Sequence, residues 1–289
     1  MKRIVRRDEG VTNVISSIML LAITLSVVGT VMEIYLPAWG KDVESRHMED
    51  TVTQIYNLRS IIEEQNVLGV EGAVSSSVFS MGSPGGALFG TGRVWGSMDV
   101  ITASGQCEVT DSTGSTIYGR GVGYILYTAD NGYIEDYSLL YQQGAIVMKQ
   151  GDSLVLKAPP EVFLTHSPAP GGGTLRSLKV NLVSFDGESS THGSSSNALI
   201  EVRAVTTFHT TYDFEGGQTL LVSISFPEGY GSAVVSYLED ELSAEGLTES
   251  EYNVTLSSPS GGEELLTLRI DSVDSLVLNI ITAEVRVYV

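Results

Sequence analysis

The residue types that most often carry catalysis or bind metals are few and widely separated in this sequence. Its four histidines, His47, His166, His192 and His209, lie in different segments, and Cys107 is its one cysteine. A zinc site needs several Cys or His ligands at short spacing, and a serine hydrolase needs a GxSxG elbow, which is absent. We therefore expect no enzyme and no metal site, and we expect Cys107 to be a small buried hydrophobe in a strand.

Cofactor motifs are also missing. The glycine group at 119–123, Gly-Arg-Gly-Val-Gly, does not have its third glycine at the spacing of a dinucleotide-binding loop. It also lacks the Lys-Ser/Thr pair of a phosphate loop. Asp and Glu are numerous enough to form a calcium site across loops, but the spacing of an EF-hand does not occur. No cofactor is predicted, and the glycines are expected to form turns.

Two surface features could serve recognition or modification. Asn253 begins an Asn-Val-Thr sequon, which makes it a candidate glycosylation site if its segment lies outside the cell. Tyrosines recur between residues 118 and 141. These rings could stack on sugars or on another subunit, although they more often cover the faces of strands. The six tyrosines are Tyr118, Tyr124, Tyr127, Tyr133, Tyr137 and Tyr141.

The element that positions everything else is the apolar stretch from Val14 to Leu36. It contains one formal charge, Glu33. At 1.5 Å per residue the stretch is roughly 35 Å long, enough to cross a hydrocarbon core of about 30 Å. No second apolar run of this length follows, so we expect a single membrane crossing.

Charge sets the expected orientation of that crossing. Four basic residues, Lys2, Arg3, Arg6 and Arg7, precede the apolar stretch, while acidic residues dominate after it. The basic side is expected in the cytoplasm and the C-terminal part outside. The net charge of -19 argues against nucleic acid as a partner, because phosphate binding needs clustered Lys and Arg.

The helix is predicted to continue beyond the membrane, so that residues 11–66 form one long helix. Met48, Val52, Ile55, Leu58 and Ile62 recur at steps of three or four residues with charged residues between them. Pro37 is expected to kink the join between the apolar and amphipathic halves, because proline lacks an amide donor.

The junction before the apolar stretch carries a family resemblance. A short basic leader, then Gly10, then Val11-Thr12-Asn13-Val14-Ile15, resembles the class III signal sequence of archaeal type IV pilins and pilin-like membrane proteins. The resemblance implies that a prepilin-type peptidase removes residues 1–10 by cutting between Gly10 and Val11. It also implies that the remaining helix anchors the chain in the lipid membrane and packs against itself or other pilin-like subunits.

The resemblance therefore implies a cell-surface structural or adhesion protein, assembled into a filament. Small residues along the apolar stretch would allow close helix approach. The alternative is an unprocessed single-pass membrane protein whose outer part binds surface glycans or another ligand.

The rest of the chain predicts an α+β protein with a β-sandwich-like extracellular head. Residues 67–92, rich in Gly and Ser, are expected to be a linker, and residues 93–289 a mainly antiparallel head of short strands. Asn131-Gly132 is expected to form a tight hairpin turn. One helix is predicted to interrupt the sheet, capped by Ser232 and ended by Gly246.

Overall fold

The computed structural model describes residues 5–85, 92–168, 174–259 and 262–289, with side chains described from residue 12 onward. It is an α+β protein. A continuous N-terminal rod consists of α1 (Val5–Thr30), a π-helical turn (Val31–Tyr35) and α2 (Leu36–Leu68). A head follows, made of strands and one further helix, α3 (Gly231–Ala244). The predicted fold class, a long helix before a mainly antiparallel two-sheet head, is confirmed.

Two sheets build the head. The larger has the order β4-β3-β12-β14-β10-β9, with β1 added to β12 and β13 added to β14. The smaller has the order β11-β2-β5-β6-β7-β8. The strands of the larger sheet are β1 (Val74–Ser80), β3 (Gln106–Asp111), β4 (Thr116–Gly121), β9 (Val162–Pro168), β10 (Thr174–Asp186), β12 (Asn197–Pro227), β13 (Tyr252–Ser257) and β14 (Glu263–Tyr288). Those of the smaller sheet are β2 (Trp95–Ile101), β5 (Tyr124–Asp130), β6 (Tyr137–Gln142), β7 (Ala145–Gln150), β8 (Ser153–Ala158) and β11 (Ser190–Ser194).

The paired strands are antiparallel except for β10 and β14, which run parallel. Two long strands, β12 and β14, pair along most of their lengths and form the spine of the larger sheet. Buried and exposed residues alternate along strands such as β5, as expected for a sheet with one covered face.

Two hydrophobic clusters fill the head, and α2 belongs to one of them. Ile55, Leu58 and Ile62 of α2 are buried against β1, the smaller sheet and the ends of β12 and β14. Met48 and Val52 are partly buried beside them. The other cluster lies under α3. The amphipathic half of the rod is thus an integral part of the head.

The stretch predicted to be a linker is not one throughout. Residues 74–80 form β1, which pairs with residues 197–203 of β12. Phe79 and Met81 are buried in the cluster that contains α2. Three consecutive serines disguised this strand, because its covered face carries Ser75 and Ser77 before the buried Phe79, while Val74 and Val78 are exposed. Residues 86–91 of the expected linker lie outside the described residues.

Two local predictions were wrong. Asn131-Gly132 does not form a two-residue turn, because Ala129 pairs with Tyr137 and the intervening residues form a longer loop. Ser232 does not cap α3, which begins one residue earlier. Instead, the amides of Tyr230 and Gly231 donate to the Glu264 carboxylate, at 3.2 and 2.7 Å. A carboxylate distant in sequence thus satisfies the exposed helix donors.

Pro37 lies in the first turn of α2, directly after the π-helical turn. In that turn the Leu36 amide donates to the Val31 carbonyl, five residues back. Hydrogen bonding therefore changes in the turn that precedes the proline, where its ring crowds the helix. The kink itself stays a prediction.

Candidate functional site

Within the described part of the chain, the rod is exposed from Val14 to Tyr35 and apolar there except at Glu33 and a few small polar residues. Side chains such as Leu20, at 68% exposed, and Ile23, at 61%, project freely, and the most apolar window of the rod has no buried residue. Among the described residues this is the one helix long and apolar enough to cross a membrane. An exposed apolar rod of this size needs an apolar partner, either lipid or other helices.

Four hydroxyl groups in this stretch are satisfied within the helix. Ser16, Ser17, Thr24 and Thr30 each donate to the carbonyl four residues earlier, at 2.8–3.0 Å. A hydroxyl bonded in this way loses little when it leaves water. These four hydroxyl groups are therefore compatible with burial in lipid.

The exposed apolar surface ends where the head begins. Leu36 is the first buried residue of α2, and Gly40 is the next. Tyr35 and Trp39 flank this point and remain exposed. Aromatic residues of this kind favour the membrane–water interface, so the end of the predicted span coincides with the base of the head.

Glu44 fastens α2 to the loop between β5 and β6. Its side chain is fully buried, and its Oε1 accepts from the Gly132 amide at 2.9 Å. Its Oε2 accepts from the amides of Tyr133 and Ile134, both at 2.8 Å. Three backbone donors around one carboxylate form a site made for a negative charge. The loop that was predicted to be a hairpin turn thus binds a helix side chain through its backbone amides.

Gly40 lets the helix approach this loop closely. A Cβ atom at position 40 would lie 2.4 Å from the Tyr133 ring. Only a residue without a side chain permits that contact, because carbon atoms in contact normally lie 3.5–4.0 Å apart. Gly40 and Glu44, one helical turn apart on the same face of α2, therefore both contact this loop.

The next turns of α2 bind two buried tyrosines. Tyr127 Oη donates to the Met81 carbonyl at 2.7 Å, so His47 Nε2 donates to Tyr127 Oη, at 2.9 Å. Tyr137 Oη donates to Thr51 Oγ1 at 2.8 Å. Burial raises the pKa of Tyr127, and raises that of Tyr137 to about 12. Burial likewise lowers the pKa of His47, with Asp50 opposing it.

The tyrosines are therefore mainly structural. Tyr127, Tyr137 and Tyr141 are at most 2% exposed, and the rings of Tyr127 and Phe79 meet edge to face with centroids 5.0 Å apart. The prediction that such rings cover strand faces is confirmed for these three. Tyr127 cannot stack on a sugar, because no face of its ring reaches solvent.

A polar row crosses the outer face of the larger sheet near the far end of α2. His209 Nδ1 donates to Asn279 Oδ1 at 2.9 Å, and Asn279 Nδ2 donates to Asn181 Oδ1 at 2.8 Å. Asn181 Nδ2 in turn donates to Glu161 Oε2. Neighbouring strands lie about 4.8 Å apart, so the row is about 14 Å long.

The row ends at Glu161, whose carboxyl group also interacts with Arg59 and Glu63 of α2. Arg59 of α2 pairs with Glu63, and its Nη2 lies 3.7 Å from Glu161 Oε1. Burial and a hydrogen bond with Glu63 raise the pKa of Glu161 to about 7. Burial also raises the pKa of Glu63, but hydrogen bonds with Glu161 and Arg59 outweigh it and leave that pKa below its usual value.

The predicted site residues fall in two places. Val14, Leu36 and Pro37 lie along the rod, as do Gly10 and Val11, whose side chains are outside the described part. Asn253 lies on β13, far along the chain, and is exposed, as glycosylation requires. Cys107 is buried in β3, as expected, and burial raises the pKa of its thiol to about 12.

Sequence reasoning missed the residues that join the rod to the head. Glu44, His47 and Thr51 precede Ile55 at steps of three or four residues, so they continue the apolar face already recognised. Their spacing was visible, but polar residues on a buried face need partners that lie 80 or more residues away. The Asn181–Asn279 row had no sequence pattern at all.

Among the described residues, no group of three or more His, Cys, Asp or Glu side chains could hold a metal ion. Comparisons of the chain with protein families, with characterised proteins and with solved structures give no match. Functional inference therefore rests on the residues and their geometry.

Proposed function

We propose that this chain is a pilin-like cell-surface protein with a structural or adhesive role. A prepilin-type peptidase removes residues 1–10, and the helix that starts at Val11 anchors the chain in the membrane. The acidic head lies outside the cell, and the exposed apolar helix associates with other pilin-like subunits.

The observation that carries the proposal is the contrast between the two halves of one rod. Val14 to Tyr35 is predominantly apolar and exposed, whereas the turns from Leu36 onward are packed into the head. Because the rod is packed into the head, the placement of the anchored helix in the membrane or in a helix bundle also fixes the placement of the head. A flexible linker after the membrane would not.

Mass measurement of the protein isolated from its native host tests the processing step. A chain that begins at Val11 supports the proposal. An intact chain that begins at Met1 refutes it. A Gly10→Leu variant should stay unprocessed, while a Glu9→Gln variant, next to the cut, is the matched control and should still be cleaved.

Electron microscopy of sheared surface material then tests assembly. Filaments that contain the processed chain are expected. A processed chain found solely in the membrane fraction would remove filament formation from the proposal and leave the anchor.

An unprocessed single-pass protein with a ligand-binding head is the second candidate. The observation that favours its ligand-binding head is a pocket of about 380 Å³ beside Arg59, Glu161 and Asn181. The mass measurement separates the two candidates, since cleavage is absent in the second.

A further inference from the structure

We propose that the groove between the far end of α2 and the larger sheet is a binding site for a neutral saccharide. The proposal requires a folded, accessible head and is independent of cleavage and of filament assembly. It assigns a ligand class to the pocket of about 380 Å³, which has the size of a site for a small ligand.

The floor of the groove is two neighbouring rows of the sheet. One is the polar row of His209, Asn279 and Asn181. The other contains Phe163 and Lys179, which pair across β9 and β10. Residues two apart on a strand point to the same face, so both rows face the groove, about 7 Å apart.

The polar row is held in place before any ligand arrives. Each amide in it already makes one hydrogen bond to the next, which fixes its orientation. An Asn side chain has two N–H donors and two acceptor lone pairs, so each amide in the row has capacity left for a ligand. A row of fixed groups that both donate and accept suits hydroxyl groups, which do the same.

Phe163 supplies the apolar contact that a sugar ring needs. Its side chain is 41% exposed at the edge of the groove. One face of a pyranose ring carries mainly C–H groups, which pack on an aromatic face. A sugar ring stacked on Phe163 would place its hydroxyl groups within reach of the polar row.

Charge argues against ions as the ligand. Arg59 and Lys179 line the groove together with Glu63 and Glu161, so groups of both signs face it. A divalent cation would meet the two basic side chains, and a phosphate would meet the two carboxyl groups. A neutral ligand that bears both donors and acceptors avoids both repulsions.

Asn66 adds an unsatisfied group at the wall of the groove. Its side chain is 5% exposed, and its Oδ1 has no hydrogen-bond donor among the described residues. A buried acceptor without a donor calls for an explanation. A rotation of this side chain toward the groove would let a ligand hydroxyl donate to it.

The position of the groove suits a polymer outside the cell. Arg59 lies 23 residues beyond Leu36 on the same helix. At 1.5 Å per residue, this places the groove about 35 Å from the end of the predicted membrane span. Surface polysaccharide extends over such distances, whereas lipid headgroups do not.

The test is a titration of the full chain in lipid nanodiscs, because glycoside detergents would compete for the site. The probes are neutral di- to tetrasaccharides of glucose, galactose, mannose and N-acetylglucosamine, with calcium and inorganic phosphate as comparison ligands. We expect at least one neutral saccharide to bind with a Kd of about 1 mM or tighter. Binding of calcium or phosphate alone, or no saccharide binding at about 10 mM, overturns the proposal.

Two exposed phenylalanines make a matched pair for that titration. Phe163→Ala removes the ring at the groove and should weaken binding about tenfold. Phe208→Ala removes a ring that is 54% exposed on the same sheet but does not line the groove, and should leave the Kd unchanged. Equal effects of the two variants overturn the assignment.

Asn279→Leu gives a second readout that does not depend on the aromatic ring. It keeps the side-chain size, breaks the polar row, and should abolish measurable saccharide binding. Circular dichroism checks that the variant is folded. A folded Asn279→Leu protein that binds as the natural chain does refutes the role of the row.

Discussion

Replacing Glu44 by Gln should loosen the loop between β5 and β6 while leaving the rest of the head intact. The carboxylate accepts three amides, two on Oε2 and one on Oε1. A Gln side chain offers one acceptor oxygen and one NH₂ group. At least one loop amide would therefore face a donor instead of an acceptor, whichever way the side chain turns.

The size of the effect follows from that count. A hydrogen bond to a charged group contributes about 1.5–3 kcal/mol, and the loop is partly solvated, so water replaces some of the loss. We expect local opening of the loop to become easier by about 2 kcal/mol, equivalent to about 30-fold. Glu44 itself is buried, which places the effect well above that of an ordinary surface substitution.

Amide hydrogen exchange of the loop is the direct assay, since it reports opening residue by residue. The amides of residues 132–134 should exchange about 30-fold faster in the Glu44→Gln variant. Glu49→Gln, an exposed change on the same helix, is the control and should leave them unchanged. If the two variants exchange alike, Glu44 does not hold the loop and the reasoning fails.

Three further outcomes are expected. Gly40→Val should cost about 1–3 kcal/mol in the free energy of unfolding, measured by denaturant titration, because the new side chain would overlap the Tyr133 ring; unchanged stability would show that the ring moves aside freely. Burial raises the pKa of Glu161 from 4.5 to about 7, so the folded chain retains a proton that the unfolded chain releases. The free energy of unfolding should therefore fall as pH rises from about 4.5 to about 7, and Glu161→Gln should remove that part of the slope; an identical slope in the variant would contradict it. Deleting residues 281–289 should leave the head insoluble, because alternate side chains there are buried and their backbone pairs with β10 and β12; deleting the last residue alone is the control, and a soluble, monodisperse 281–289 deletion would count against this placement.

Hydropathy and periodicity predicted the parts of the fold that depend on local pattern. An uninterrupted apolar stretch must be covered by lipid or by other helices, and this holds for Val14 to Leu36 without any knowledge of the head. The faces of α2 and of strands such as β5 follow from repeats of 3.6 and 2 residues. In α2 and β5, the type of element and the face that is buried follow from the pattern of residues a few positions apart.

Patterns of polar residues gave wrong predictions where the hydrogen-bonding partner is distant in the sequence. The serines of β1 favoured a linker, yet the strand forms because β12, more than a hundred residues later, supplies its hydrogen bonds. Asn131-Gly132 has the composition of a tight turn, but Glu44 binds the neighbouring amides and favours a wider loop. The intrinsic preference of a residue for a helix, strand or turn is worth about 1 kcal/mol, and a few hydrogen bonds to distant segments exceed it.

Residue type and spacing alone predict an apolar rod, an amphipathic continuation and an acidic β-rich head. Which loop the rod binds, and which polar groups meet, depends on contacts between segments that are distant in the sequence. Glu44 at its loop, and Asn279 between His209 and Asn181, have roles that exist only after distant strands pair. The physical reason is that hydrophobic burial is nearly independent of the partner's identity, whereas a buried polar group needs one particular partner at one particular distance.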